Sequence, residues 1–366
     1  VKFEKSQFDG PQFEKSGFGT LAVVGGGVIG LAVAARAQRD GWSVQLYDPN
    51  IGSGASWVAG GMLAPLSEGW PGEHELLKLG ARSLDRWPEF ARELGVDVFT
   101  ASGSLTVALD AADAQDLRTI AEFVGEHGHQ LDILNRAQIR ELEPSLAQNI
   151  RLGLLAPTEQ AVDNRALVDA LTASAAGVDF VAEQVTDLDA LTADRIVVAA
   201  GAQVSALLPD IPVRPVKGEI LRLRRRPSAT APPSRTIRGS VHGRPIYLVP
   251  RGDGLVVGAT QYESGHDTQV TVAGVRDLIA DAERLMPSIG EYELHEAAAG
   301  LRPMSPDGLP LIGRVSERVI VAAGHGRNGI LLTPITTDAV AALLTGDTLP
   351  EAKAADPARF ETGRHR

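Results

Sequence analysis

Ten residues near the start of the chain, Leu21-Ala22-Val23-Val24-Gly25-Gly26-Gly27-Val28-Ile29-Gly30, limit the fold more than any other stretch. Residues 21–24 are a short apolar run fit for a buried parallel strand. Residues 31–40 are Ala-rich and helical, and Gly41 stands where a C-terminal cap belongs. Trp42, Val44 and Leu46 then alternate with polar residues, a strand period that ends at Tyr47-Asp48. The whole is one βαβ unit of about 30 residues. Gly25, Gly27 and Gly30 are in G-x-G-x-x-G register: the first permits a tight turn, the second lets backbone amides approach a pyrophosphate, and the third lets helix pack on strand. Val28 and Ile29 open the helix, whose N-terminus offers partial positive charge to phosphate. Asp48 lies 21 residues after Gly27, where a carboxylate can accept both hydroxyls of a ribose and repel a 2′-phosphate. Strand, glycines, helix and acid together predict a dinucleotide site.

Composition narrows what the rest can do. At ~150 residues per domain, 366 residues give about two domains. There is no cysteine, which excludes disulfides, thiolate nucleophiles, cysteine zinc sites, iron–sulfur clusters and thioether-linked flavin. The formal charge is −11, so no nucleic-acid partner is expected. The one basic run, Arg222-Leu223-Arg224-Arg225-Arg226, reads as a solvated strand end. No metal is expected: the eight histidines are scattered, and His127 and His129 lack ligand spacing. No apolar run reaches the ~18 residues of a membrane span, and the first 20 residues lack a signal core, so a cytoplasmic chain with no membrane partner is expected. Phe3-Glu4-Lys5-Ser6 recurs as Phe13-Glu14-Lys15-Ser16 within a segment, residues 1–19, that reads as a flexible tail.

Further along, Leu76, Leu77, Leu84, Trp87, Phe90 and Leu94 follow helical spacing, stopped by Gly95. Residues 105–109 read as a strand, and Leu117, Ile120 and Val124 mark another helix. Asp163 is placed to cap a helix over 165–175, and residues 195–201 form a buried strand ending in Gly201. From 213 to 260 the pattern becomes antiparallel, with residues 247–250 and 255–258 flanking the turn Arg251-Gly252-Asp253-Gly254. Residues 275–285 form a helix closed by Pro287. A last strand, 319–323, runs into Gly324-His325-Gly326-Arg327-Asn328-Gly329 and a helix to about 344. FAD must be held at both ends, so this second glycine turn favours FAD over NAD. Its amides and helix dipole suit the edge of a flavin that carries negative charge when reduced.

These residues resemble the D-amino-acid-oxidase-like FAD-dependent oxidoreductases, closest to their glycine-oxidase branch of thiamine biosynthesis. The resemblance spans about residues 20–350. It is carried by residues 23–30, Ala59-Gly60-Gly61-Met62-Leu63, Pro215-Val216-Lys217-Gly218-Glu219, Tyr247-Leu248-Val249-Pro250-Arg251, Gly300-Leu301-Arg302-Pro303 and residues 324–332. It implies an α/β fold: a Rossmann-like, glutathione-reductase-type FAD domain (20–85, 155–212, 300–350) and a discontinuous antiparallel-sheet substrate domain (86–154, 213–299). Residues 351–366 are then a C-terminal tail.

The resemblance further implies non-covalent FAD held by Gly25, Gly27, Val28, Ile29, Gly30 and Asp48 at its ADP half. Ser56, Gly60, Gly61 and Met62 fall under the flavin, Val185 near the adenine, and Gly201 at the end of its strand. Gly326, Asn328, Gly329 and Ile330 fall at the flavin edge. Arg302 matches the substrate-carboxylate arginine, Tyr247 the active-site tyrosine and Arg327 the arginine beside the substrate. A cation so near a helix start is unfavourable without an acidic partner. His242 and Gln261 are looser candidates for the pocket wall, and residues 178–195 are short for the usual strand meander. The implied reaction is oxidation of glycine, or of small amines or D-amino acids, by hydride transfer from Cα to flavin N5. It gives imine or glyoxylate, ammonia and hydrogen peroxide, with oxygen as partner and a homo-oligomer expected. Sarcosine oxidase, D-amino-acid oxidase, D-amino-acid dehydrogenase, an NAD-dependent dehydrogenase and a non-catalytic nucleotide-binding protein stand as alternatives.

Overall fold

The computed structural model describes residues 17–363; the duplicated Phe-Glu-Lys-Ser segment lies outside them. The chain begins with β1 (Thr20–Val24), α1 (Val28–Arg39), β2 (Ser43–Tyr47), α2 (Ala55–Val58) and β3 (Met62–Leu63). It continues through α3 (His74–Leu94), β4 (Phe99–Ala108), α4 (Ala111–Glu126), β5 (Asp132–Leu134), α5 (Arg136–Leu142), β6 (Leu152–Val162) and α6 (Asn164–Ser174). Next come β7 (Asp179–Val181), β8 (Arg195–Val198), α7 (Val204–Leu207), β9 (Arg214–Arg224), β10 (Thr236–Val241), β11 (Arg244–Arg251) and β12 (Gly254–Gly258). Then α8 (Val272–Leu285), β13 (Glu293–Met304), β14 (Leu311–Arg314), β15 (Val319–Ala323) and α9 (Thr333–Thr345) complete the regular elements.

Two sheets organise the molecule. The first is six-stranded, in the order β14-β15-β8-β1-β2-β7, parallel except for β14. Its strands are near-continuous apolar runs because helices cover the sheet: α1, α6 and α9 pack on it through Leu31, Leu167, Leu171, Ile335 and Val340. The chain leaves β1 toward β2 on one side and later returns to β8 on the other, so a crevice opens between the carboxyl ends of β1 and β8. The second sheet has nine strands, in the order β13-β9-β12-β11-β10-β4-β6-β3, with β5 added on β6. Its pairs are antiparallel except β10 with β4. One face buries Leu221, Ile237, Leu248 and Val257 against Leu278, Ala282 and Leu285 of α8. The other, with Ile220, Val249 and Val256, turns toward α2 and the crevice.

Local chemistry explains the elements. Asp163 accepts from the Arg165 and Ala166 amides at the start of α6, and Gly95 ends α3 in the left-handed conformation. Three regions depart from the expected layout. Strand β6 belongs to the second sheet to its end at Val162, and β13 to Met304, so sheet membership does not change at 155 or 300. The described part of the expected tail, residues 351–363, lies in 3₁₀ turns over Pro350–Ala355 and Pro357–Gly363 that bury Ala352 and Ala355, and Arg359 pairs with Asp307 at 2.8 Å. In the basic run, Arg224–Arg226 are exposed, but Arg222 turns inward and donates to Asn164 at 3.0 Å. That side chain lies on the cavity-facing side of β9, where solvent is replaced by α6. Among the described residues no helix is long and apolar enough to cross a membrane.

Candidate active site

At the crevice, Gly25 has φ +110, and a Cβ there would stand 2.7 Å from the Ala199 carbonyl carbon of the neighbouring strand end. A Cβ on Gly30 would overlap the Gly25 carbonyl oxygen. Both positions therefore require glycine, and the helix N-terminus is brought close to the turn. The Gly26 amide donates to Asp48 Oδ2 at 2.6 Å and the Asn50 amide to Oδ1 at 2.7 Å, which fixes the carboxylate at the mouth of the crevice. Ser56 Oγ accepts from the Val28 amide at 3.1 Å, tying α2 to the start of α1.

The crevice continues as one cavity of about 900 Å³ from Asp48, Val185 and Gly201 to Tyr247, Arg302 and Arg327. That is at the upper end of ligand-site volumes. Of the site residues expected from the sequence, all but Gly30 line it. Gly30 acts behind the wall by letting α1 approach β1. Gln261 also lines the cavity; His242 does not. His242 is exposed, with φ +52, in the two-residue turn His242-Gly243 that joins β10 to β11.

The second sheet forms the far floor. Tyr247 on β11 faces Gly258 on β12 and Arg238 on β10. A Cβ on Gly258 would run into the Tyr247 ring, and one on Gly60 would come within 3.0 Å of it. Burial pushes the Tyr247 hydroxyl above its ordinary pKa, so it remains a donor at neutral pH. Arg302 on β13 leans over Gly218 on β9. Its Nη1 donates to the Thr260 carbonyl at 3.1 Å and reaches the Lys217 carbonyl at 3.5 Å. Among the described residues Arg302 forms no salt bridge or hydrogen bond to a carboxylate, although its charge helps hold the Glu68 pKa down, and the Tyr247 hydroxyl has no hydrogen bond. Arg251, the end of the Tyr247 motif, donates to the Val162 and Gly60 carbonyls at 2.5 and 2.8 Å. It thereby clamps the Gly60-Gly61 turn, and burial lowers its pKa to about 10.

Two further charged residues of the wall escaped the sequence reading. Glu68, 11% exposed at its side chain, is bridged by Arg238 at 2.8 Å and by Arg327 Nε. Burial alone would raise its pKa, but the two guanidiniums overcome this and hold it below the usual glutamate value. Arg327 thus has the acidic partner that its place near a helix start requires, and Glu68 raises its pKa in turn. Behind Glu68, the buried Glu159 accepts from the Leu66 and Ser67 amides and the Ser67 hydroxyl, each at 2.7 Å. Burial raises the Glu159 pKa. The only local signal for Arg238 was a lone charge inside a strand, between Ile237 and Gly239; Glu68 had none.

The second glycine turn forms a 3₁₀ turn, Gly326–Asn328, and α9 starts at Thr333 rather than directly after Gly329. The Leu331 carbonyl accepts from Ser83 Oγ at 2.6 Å and Trp87 Nε1 at 2.8 Å, which anchors the approach to α9 against α3. His325 is buried, 3.0 Å from Thr336 Oγ1, and burial lowers its pKa to about 4.

A parallel sheet with a glycine turn at its switch point, opening onto the floor of an antiparallel sheet that presents an arginine with no carboxylate in salt-bridge contact, defines a dinucleotide-dependent oxidoreductase. Residues 20–343 match the model of the DAO family, the FAD dependent oxidoreductases, and the chain belongs to that family. It is 32% identical over 376 residues to the glycine oxidase of Geobacillus kaustophilus, covering 94% of this chain and 97% of that one. It is 33% identical over 345 residues to the bifunctional protein ThiO/ThiG of Trichormus variabilis, covering 88% of this chain and 52% of that one. The chain thus spans about half the length of such bifunctional relatives. The crystal structure of the Geobacillus kaustophilus glycine oxidase superposes with a TM-score of 0.85 at 31% identity, over 93% of this chain and 99% of that one. The glycines that a Cβ would block, the fixed Asp48 carboxylate and the volume of the cavity fit FAD, the cofactor of the family.

Proposed function

We propose that the chain oxidises glycine, and less readily other small amines or D-amino acids, and that the product supplies the thiazole of thiamine. One observation carries this reading: Arg302, seated on two backbone carbonyls and bonded directly to no carboxylate, opens into the same cavity as the dinucleotide cradle. A guanidinium fixed at one nitrogen keeps N–H groups for a bidentate bond to an α-carboxylate. Tyr247, buried and protonated, adds a hydroxyl donor to the same carboxylate. FAD, when bound, would supply the acceptor for the Cα hydride, with oxygen as the final acceptor, reduced to hydrogen peroxide.

The residues themselves contribute positioning, which is the larger part of such a step. Glu68 is ionised but engaged by two arginines, and His325 is neutral and buried, so neither is poised as a base. The amine accordingly reacts in its neutral form. Iminoacetate then leaves for thiazole synthesis or is hydrolysed to glyoxylate and ammonia. The name of a Rhizobium etli relative, ThiO, 34% identical over 346 residues, refers to a thiamine biosynthesis oxidoreductase and supports the first fate. In this reading Gly25, Gly27, Asp48 and Val185 hold the ADP half of FAD, and Gly60, Gly61, Met62 and residues 326–330 hold the flavin.

The purified protein is expected to be yellow and to bleach when glycine is added without oxygen. Steady-state peroxide release should rank glycine and sarcosine above D-alanine and D-proline. A colourless protein that FAD does not reconstitute would end the reading. One methyl in a pocket is worth ~1–3 kcal/mol, so the glycine-to-sarcosine ratio is the finest discriminator.

A further inference from the structure

Strand β9 carries two patterns. Val216, Gly218 and Ile220 face the cavity; Lys217, Glu219 and Leu221 face α8. Lys217 and Glu219 are 1% and 0% exposed, in a layer where α8 offers Leu278, Ala282 and Leu285. A buried ion pair is weak evidence of stabilisation, since apolar residues of similar volume often do as well. The contacts of this pair show a different use. Glu219 Oε1 lies 3.4 Å from Lys217 Nζ and accepts from the Thr271 amide at 2.8 Å. Glu219 Oε2 accepts from the Thr260 and Thr271 hydroxyls at 3.3 and 3.4 Å. Lys217 Nζ donates to Asp267 at 2.6 Å. The backbone repeats the pattern: Lys217 and Tyr262 exchange amide and carbonyl bonds at 2.9 and 3.0 Å, and the Thr260 amide donates to the Glu219 carbonyl at 3.2 Å.

Every partner of the two side chains outside β9 lies between residues 260 and 271, the connection from β12 to α8. That connection places Gln261 and Thr268 in the cavity wall. The carbonyls that seat Arg302, those of Thr260 and Lys217, are the ones fixed from behind.

We propose that Lys217 and Glu219 are positioning residues: from the far face of the sheet they hold segment 260–271, and through the Thr260 and Lys217 carbonyls they aim the Arg302 guanidinium at a substrate carboxylate. The inference deepens, and rests on, the reading of Arg302 as the carboxylate anchor.

Acetate, a carboxylate without an amine, is the probe. It is titrated into the FAD-loaded protein and followed by the change in flavin absorbance, alongside glycine kinetics. Glu219→Gln is expected to raise the acetate Kd and the glycine KM about tenfold with little change in kcat, as for a displaced anchor. Combined with Arg302→Lys, its effect on the acetate Kd should fall well short of multiplicative, because both changes act on one guanidinium. A purely structural role would lower the Tm and leave the acetate Kd of the folded holoenzyme unmoved. Wild-type acetate affinity in Glu219→Gln, or independent multiplicative effects, overturns the proposal while the reading of Arg302 stands. Wild-type affinity in Arg302→Lys overturns both. If Glu219→Gln does not fold, Thr260→Val removes the hydroxyl that donates to the Glu219 carboxylate and accepts from its amide; it should weaken acetate about threefold, and unchanged affinity again overturns the proposal.

Discussion

A methyl group on Gly218 would stand 2.5 Å from the Cζ of Arg302. The two residues are diagonal neighbours on the cavity face: Gly218 pairs with Gly300, and Arg302 with Val216 one step along. The glycine is therefore the floor on which the guanidinium lies. Gly218→Ala should push Arg302 off the Thr260 carbonyl. Displacing a positioning group by about 1 Å can cost on the order of 10²-fold, so kcat/KM for glycine should fall by that order, mostly through KM. FAD absorbance per chain should stay at the wild-type level, since Gly218 is not among the residues read as holding FAD. Peroxide release over a glycine series measures the first quantity and the visible spectrum the second. Wild-type kinetics would show that Arg302 does not bind the substrate from this seat.

Glu68 joins Arg238 and Arg327 across the cavity wall. Removing one partner of a buried pair leaves the others uncompensated, at ~3–5 kcal/mol. Arg327 is about half-exposed, which shrinks its share, so Glu68→Gln should destabilise by about 3 kcal/mol at neutral pH. The folded-state pKa of Glu68 is lowered, so its contribution is present above the ordinary glutamate pKa and is lost as pH falls through the lowered value. Urea midpoints of the wild type and variant should converge in acid. A constant gap down to the acid transition would place the effect in packing rather than charge.

Some of this site is readable along the chain and some is not, and the division follows sequence distance. Gly25 and Gly30 are readable because their constraint lies within one βαβ unit. Tyr247 and Arg302 are readable through motifs that a family shares. Glu68 is not: its partners Arg238 and Arg327 are 170 and more residues away, and nothing near Leu66-Ser67-Glu68 distinguishes a buried acid from a solvated one. Lys217 and Glu219 sit inside a quoted motif, but a strand period alone could not tell which face meets α8. The same limit hid the C-terminal turns, whose burial depends on β14, where Pro357 packs against Gly313.

Gly30→Ala puts a methyl group into the Gly25 carbonyl oxygen. Helix α1 cannot yield without leaving β1, where Leu31 and Val33 are fully buried. Relief therefore comes from the glycine turn, whose amides would face the pyrophosphate. The variant should purify with little or no FAD and with a lowered Tm that added FAD restores only in part. A variant isolated yellow, at one FAD per chain, would place the pyrophosphate elsewhere.

His325 makes stability depend on pH in mild acid. It is 3% exposed, and burial lowers its pKa from 6.5 to about 4. Above pH 7 the ring is neutral in both folded and unfolded chains and contributes nothing to the pH dependence. Between about pH 6.5 and 4 the unfolded chain binds a proton at this residue that the folded chain does not. Stability therefore falls as pH drops through that window, by at most about 1.4 kcal/mol per pH unit and about 3 kcal/mol by pH 4. His325→Gln keeps a polar group beside Thr336 and removes the titration. The urea midpoint of the wild type should fall more steeply than that of the variant between pH 6.5 and 4.5, with parallel curves above pH 7. Parallel curves throughout would mean that the folded protein accepts the proton as readily as the unfolded chain, and that the pocket around His325 admits water.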